Sequence, residues 1–315
     1  MIKKNSRIFI AGHNGLIGSA VLRLLKKNGY KKIFTESRKK LDLCNYKKVE
    51  NFFKKKKIDY VIIAAAKVGG ILENSKYPTE FLTENLAIHN NILLLSKKYK
   101  VKRTIFLGSS CIYPKLSKIP IKEKYLLTGT LEKTNEAYAI SKIAGIILCQ
   151  SLFYQYKQDI VCLMPTNAYG KNDNFDSLSS HVIPGMITKF FQAKRKNKNV
   201  MLWGSGKPVR EFIYDEDLAN AILKILVTPQ KKILKVCNNE LPLFNVGSGE
   251  SLSIKKLAYL VKGIIKFQGK IIFNKKFFDG TMIKNLDSSR IKKLGWKPKI
   301  SLKKGLTKIV QDMKD

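Results

Sequence analysis

Tyr138-Ala139-Ile140-Ser141-Lys142 sets a phenol and an amine four residues apart, on one face of any helix that carries them. A cation beside a phenol lowers its pKa, so the tyrosine can exchange a proton with a carbonyl or carbinol near neutral pH. Lys142 can also hold a cofactor ribose. A second cluster, Gly108-Ser109-Ser110-Cys111-Ile112-Tyr113-Pro114, follows an apolar run and ends in a proline that forbids helix. A serine hydroxyl there can polarise a carbonyl. Cys111 is either a small buried hydrophobe or a thiol placed to move a proton. A third stretch, Gly12-His13-Asn14-Gly15-Leu16-Ile17-Gly18, has GxxGxxG spacing. Its glycines allow a tight turn, the close approach of a pyrophosphate and tight packing of helix on strand.

These residues are useful only if strands and helices bring them together. Apolar runs at residues 7–11, 32–35, 59–64, 104–107 and 160–163 read as strands. Helical spacing covers 16–28, 49–55, 81–99 and 137–156. Such alternation predicts an α/β fold, a Rossmann-type doubly wound parallel sheet with helices on both faces. After Gly170 the pattern loosens into shorter helices (183–194, 218–226, 253–262), short strands and glycine turns. The expected division is a dinucleotide-binding domain over 1–170, rejoined by later segments, and a smaller interwoven lobe over 171–315.

The chain has 315 residues and a net charge of +37, from 60 Lys+Arg against 23 Asp+Glu. The lysines are spread along its length, and the densest run, at 54–57, has no interleaved aromatics. This is a solvated surface rather than a nucleic-acid footprint, although it attracts anionic small molecules such as nucleotides. Five cysteines (Cys44, Cys111, Cys149, Cys162, Cys237) with no CxxC pair argue against a disulfide framework or a zinc site. No signal peptide and no apolar run of membrane-spanning length are read, so a cytoplasmic protein is expected, with no membrane or nucleic-acid partner.

The end of the second strand bears on the choice between NAD and NADP. Glu36 sits where a ribose hydroxyl would be held, and Arg38-Lys39-Lys40 sit where an extra phosphate would be paired. Three cations beside one acid favour the phosphate, because an arginine fork matches its geometry. Asp42 lies one turn further on, toward the adenine side.

The order glycine loop, serine at the end of the fourth strand, then Tyr and Lys resembles that of short-chain dehydrogenase/reductases. Longer strings narrow the resemblance. GHNGLIG, AAAKVGGI, GSSCIYPK, NEAYAISKIAG, MPTNAYG, SSHVIPGMI and WGSGKPVREFIY together resemble the GDP-L-fucose synthase family, over nearly the whole chain. That family makes GDP-L-fucose from GDP-4-keto-6-deoxy-D-mannose, as an NADPH-dependent 3,5-epimerase/4-reductase. The resemblance implies Ser109, Cys111, Tyr138, Lys142 and His181 as the catalytic set, with Cys111 and His181 exchanging protons at C3 and C5. It implies that NADPH/NADP+ lies along the residues 12–18 named above, Arg38, Lys39, Lys40, Leu41, Asp42, Leu43, Leu107, Gly108, Ser110, Lys142, Pro165, Thr166, Asn167, Ala168 and His181. Lys189, Trp203, Arg210 and Asp279 fall at its GDP-sugar contacts, and a homodimer is implied.

Two departures stand out. Asn14 replaces an arginine that often helps to hold the NADP phosphate, which leaves more of that task to Arg38. Phe277-Phe278-Asp279-Gly280-Thr281-Met282 replaces a more proline-rich loop near the sugar. The sugar therefore stays open between the 6-deoxy-mannose derivative and related GDP-4-keto sugars, such as the 3,6-dideoxy or 6-deoxyheptose forms.

Overall fold

The computed structural model describes residues 2–176, 179–276 and 279–313. Its first half runs β1 (Ile8–Ala11), α1 (Leu16–Lys27), β2 (Ile33–Phe34), α2 (Tyr46–Lys56), β3 (Tyr60–Ile63), α3 (Ile71–Lys76), α4 (Pro78–Lys98), β4 (Arg103–Leu107), α5 (Glu136–Tyr156) and β5 (Ile160–Pro165). β1, β3, β4 and β5 are buried along their whole length, so both faces select apolar or β-branched side chains. Alternation sorts those side chains between two cores. Ile8 and Ile10 pack with Val21, Leu25, Leu218 and Ile222, while Phe9 and Ala11 pack with Val49, Phe53, Ile92 and Ile146.

The second half contains β6 (Asn167–Tyr169), α6 (Val182–Arg195), β7 (Val200–Trp203), β8 (Val209–Tyr214), α7 (Asp215–Val227), α8 (Gln230–Val236), β9 (Leu243–Val246), β10 (Ser251–Ser253), α9 (Ile254–Ile265), β11 (Ile271–Asn274), β12 (Ile283–Lys284), α10 (Ser289–Lys293) and α11 (Leu302–Asp312). β9 returns to the main sheet, whose order is β2-β1-β3-β4-β5-β9 with every neighbour parallel. The direction of winding reverses between β1 and β3, and the crevice above that switch point is where α/β sheets bind nucleotides. A third core, drawn from residues 169–310 and called the lobe below, holds Phe190, Leu257, Val261, Leu306 and Ile309.

β8 serves both halves. Val209, Arg210 and Glu211 pair with β10, and Val209 and Arg210 also with β12; Phe212 to Tyr214 pair with β6. The buried Glu211 carboxylate accepts from Gly249 N at 2.7 Å and Leu286 N at 2.8 Å.

Several elements differ from the sequence reading. α2 begins three residues early, because the Asn45 side chain caps the amide of Lys48 at 3.0 Å. The six-residue α3 and the four-residue β9 are additional. No apolar run of spanning length was expected, yet residues 133–156 are long and apolar enough to cross a membrane. α5 owes this composition to two apolar faces. One holds Ile143, Ile146, Cys149 and Leu152 in the core, and the other is an exposed stripe of Ile140, Ile147 and Tyr154.

Candidate active site

The glycine loop joins β1 to α1 beneath the switch point. Gly12 has φ +86°, and a Cβ there would lie 2.6 Å from Ala65 N, so a side chain would strain the backbone and strike the strand β3 exit. A Cβ on Gly18 would collide with the Gly12 carbonyl. Gly15 caps α1 without a side-chain hydrogen bond, and the first turn holds no acid. The result is a bare helix N-terminus with its amides unspent, which suits a pyrophosphate. The Thr166 hydroxyl, just past β5, is buried without a partner among the described residues. These features fit a dinucleotide.

Arg38, Lys39 and Lys40 form an exposed turn after β2, and Leu41 is buried beneath it. Arg38 is not free: its guanidinium meets Glu84 of α4 at 3.1 Å, and Lys67 holds the other carboxylate oxygen at 3.2 Å. Asp42 accepts from the amide of Cys44 at 3.0 Å and so closes its own turn. The Leu43 carbonyl is held by Asn91 at 2.8 Å.

The chemistry hangs from the junction of β4 and α5. Leu107 ends β4, Gly108 packs against Met164, and Ser110–Ile112 forms a short 3-10 turn. The Ser109 hydroxyl accepts from Cys111 N at 3.2 Å and hydrogen-bonds Tyr138. Tyr138 lies over the N-terminal end of α5, and Lys142 lies one turn further on, with its Nζ donating to the Leu107 carbonyl at 2.9 Å. Burial lowers the Lys142 pKa to about 7. The expectation that the amine lowers the phenol is reversed, because burial and then Cys111 raise Tyr138 above its ordinary range, against the Ser109 hydrogen bond. At neutral pH Tyr138 is a protonated phenol, suited to giving a proton rather than taking one.

His181 precedes the first turn of α6 and keeps solvent access along the cleft, while the walls around it desolvate the ring and lower its pKa. Its element is tied to the segment after β3 by Gly70 N, which donates to Ser179 O at 3.2 Å. Among the described residues, no hydrogen bond joins His181 to Cys111. On the lobe side, Lys189 of α6 stacks 4.3 Å from the Trp203 ring, and burial lowers its pKa. Arg210 of β8 is also lowered by burial, opposed by Cys111, Glu132 and Asp279, and its guanidinium donates to the Val209 carbonyl at 2.9 Å. Asp279 accepts from Ser205 N at 2.9 Å and Ser205 Oγ at 2.6 Å, which pins its loop to the turn after Trp203. Phe277 and Phe278 lie outside the described residues. Pro165 ends β5, and Asn167 Nδ2 donates to Glu211 O at 3.0 Å, which joins the 165–168 segment to β8.

The structure adds four residues that pattern alone does not single out. His89 of α4 is fully buried, with Nε2 3.4 Å from Lys142 Nζ. Glu84 occupies Arg38. Glu132 binds Lys115 and accepts from Thr281 at 3.2 Å, which fastens the sugar-side loop. Asn135 donates to the Cys111 sulfur at 3.2 Å.

The sequence pattern of the NAD dependent epimerase/dehydratase family matches residues 8–238. Over 308 residues the chain is 47% identical to a putative GDP-L-fucose synthase 2 of Arabidopsis thaliana, covering 98% of this chain and 91% of the relative. It is 43% identical to the GDP-L-fucose synthase of Escherichia coli K12, covering 97% and 95%. Among solved structures, a GDP-mannoheptose C4 reductase from Campylobacter jejuni with NADP bound superposes with a TM-score of 0.88 at 36% identity, over all of both chains.

Proposed function

This chain belongs to the NAD dependent epimerase/dehydratase family, and we propose that within it the protein acts as a GDP-L-fucose synthase. Its reaction is the NADPH-dependent conversion of GDP-4-keto-6-deoxy-D-mannose to GDP-L-fucose. NADPH, when bound, supplies the hydride for C4. The residues that hold it are the glycine loop, Arg38, Lys142 and the 165–168 segment. The observation that carries the reading is the convergence of Ser109, Cys111 and Tyr138 at one strand–helix junction.

A C4 ketone acidifies the protons on C3 and C5, because the electron pair left behind is delocalised onto the C4 oxygen. Ser109 and Tyr138 hold that oxygen by hydrogen bonds. Cys111 and His181 take a proton from one face of the ring and return one to the other, which inverts the carbon. After both inversions Tyr138 gives its proton to the C4 oxygen as hydride arrives at carbon. Lys189 and Arg210 suit the diphosphate, and Trp203 offers a ring face for the base or sugar. A GDP-4-keto-heptose is the second reading, favoured by the likeness to the heptose reductase.

Incubation with NADPH and GDP-4-keto-6-deoxy-D-mannose in deuterated water tests the reading. The expected NMR product carries deuterium at C3 and C5 and is reduced at C4. Reduction without label at either carbon would replace it with a simple reductase. The working assembly is a cytoplasmic homodimer. The exposed Ile140, Ile147 and Tyr154 recur every seven residues along α5, and Leu94 of α4 is exposed as well, which leaves apolar surface for a second copy. Ile147→Asp should yield monomers in light scattering.

A further inference from the structure

We propose that Asn135 is a positioning residue for the Cys111 sulfur, holding it as the proton-accepting thiolate through its side-chain amide. The inference rests on the reading of Cys111 as a proton-transfer group and deepens it.

Asn135 occupies the position just before the first residue of α5. An asparagine there ordinarily turns its oxygen back onto the free amides of the first helical turn. This one does not: no side-chain hydrogen bond caps α5, and Asn135 Oδ1 is buried with no partner among the described residues. The side chain instead directs Nδ2 at Cys111 Sγ, at 3.2 Å. The cap and the carbonyl's own hydrogen bond are both given up, so the sulfur contact decides the orientation. Cys111 is fixed from the other side by its backbone amide, which donates to Ser109 Oγ at 3.2 Å. The sulfur and the main chain of Cys111 are thus each held at one point, and neither anchor is on the lobe.

The chemistry follows from the direction of the donor. An N–H pointed at sulfur stabilises the anion more than the neutral thiol, because a hydrogen bond to a charged partner is the stronger one. When the substrate C–H bond breaks, its proton forms the S–H bond and its electron pair moves onto the C4 oxygen. The amide then loosens its hold as the sulfur loses charge. The carbon then takes a proton from His181 on its other face as the electron pair returns from the C4 oxygen, and the amide hydrogen bond is restored when the S–H proton passes to solvent. Asn135 touches neither the reacting carbon nor the hydride, so it acts through Cys111 alone.

The test is the rate of Cys111 alkylation by iodoacetamide at one neutral pH, read by peptide mass spectrometry. Cys149, Cys162 and Cys237 are buried, and the partly exposed Cys44, whose sulfur meets the Glu84 carbonyl, is the internal reference. Asn135→Ala should slow Cys111 on the order of tenfold and leave Cys44 unchanged. Asn135→Asp keeps the shape but presents an acceptor, and it should slow Cys111 further than alanine does. Deuterium incorporation into the 4-keto sugar should fall in parallel, with NADPH binding by fluorescence kept. If Asn135→Ala fails to fold, the isosteric aspartate variant carries the test by itself. Cys111 reactivity within twofold of wild type in the aspartate variant would overturn the proposal, since side-chain shape alone would then suffice. Slowed alkylation with wild-type deuterium incorporation would keep the amide–sulfur contact and remove Cys111 from the epimerisation.

Discussion

The amine of Lys142 lies 3.4 Å from Nε2 of His89, and both side chains are buried between α4, α5 and β4. Desolvation lowers both groups, and the lysine's charge lowers the histidine further. The site therefore stores an amine that holds its proton only weakly.

The stability of the fold should record this. The lysine titrates near 10.5 when unfolded and at about 7 when folded. Below about pH 7 both states carry the proton, and the fold bears the full cost of a buried charge. Between about 7 and 10.5 the unfolded chain holds the proton and the folded chain does not, so stability rises with pH. Lys142→Met should be more stable than wild type at neutral pH by a few kcal/mol, the gap closing toward pH 10. A gap that stays constant from pH 6 to 10 in thermal melts would argue against the lowered amine.

Tyr138→Phe should slow NADPH oxidation by about 10²–10⁴-fold, the range for a lost general acid. Deuterium exchange into the sugar should survive better than reduction, because Ser109 still holds the C4 oxygen. Stopped-flow absorbance of NADPH together with NMR of the sugar separates the two. Equal losses in both would mean that the phenol serves enolisation as much as reduction.

For Cys111→Ser the expectation runs the other way. Proton exchange should drop by at least about 10²-fold, while NADPH binding is kept. Wild-type label at both C3 and C5 would remove the thiol from the reaction.

On the proposed reading, Arg38 and Glu84 act on the cofactor preference from opposite sides. Loss of the guanidinium in Arg38→Ala should reduce the preference for NADPH over NADH on the order of tenfold. Glu84→Gln removes the carboxylate that competes with a 2′-phosphate for Arg38, so NADPH should bind a few-fold more tightly. Fluorescence titrations of both cofactors give the ratio directly. Weaker NADPH binding in Glu84→Gln would make Glu84 a support for Arg38 rather than a competitor.

The fold was legible where burial on both faces left an unbroken apolar run, as in β1, β3, β4 and β5. It was not legible at β9, where Leu243-Phe244-Asn245-Val246 follows a proline and includes a buried asparagine whose polar groups are met by Tyr113, Ile121 and Glu123. The tyrosine, lysine and glycine loop were visible because their spacing is local. Glu84 and His89 were not, since their partners, Arg38 and Lys142, are 46 and 53 residues away. Asn135 sat in plain view at a helix start, where its residue type suggests a cap. Only the direction of its side chain shows otherwise. The reversed shift of Tyr138 has the same origin, because spacing places a cation nearby but says nothing of the burial that outweighs it.

β8 contributes its first half to the lobe's sheet and its second half to the pairing with β6, and Glu211 between them binds both sides. Neither half can melt and leave the other with its edges satisfied. Heating should therefore give one calorimetric peak rather than two, and a chain cut between β7 and β8 should yield no fragment that resists protease. What reads along the sequence as two regions should then melt as one cooperative unit.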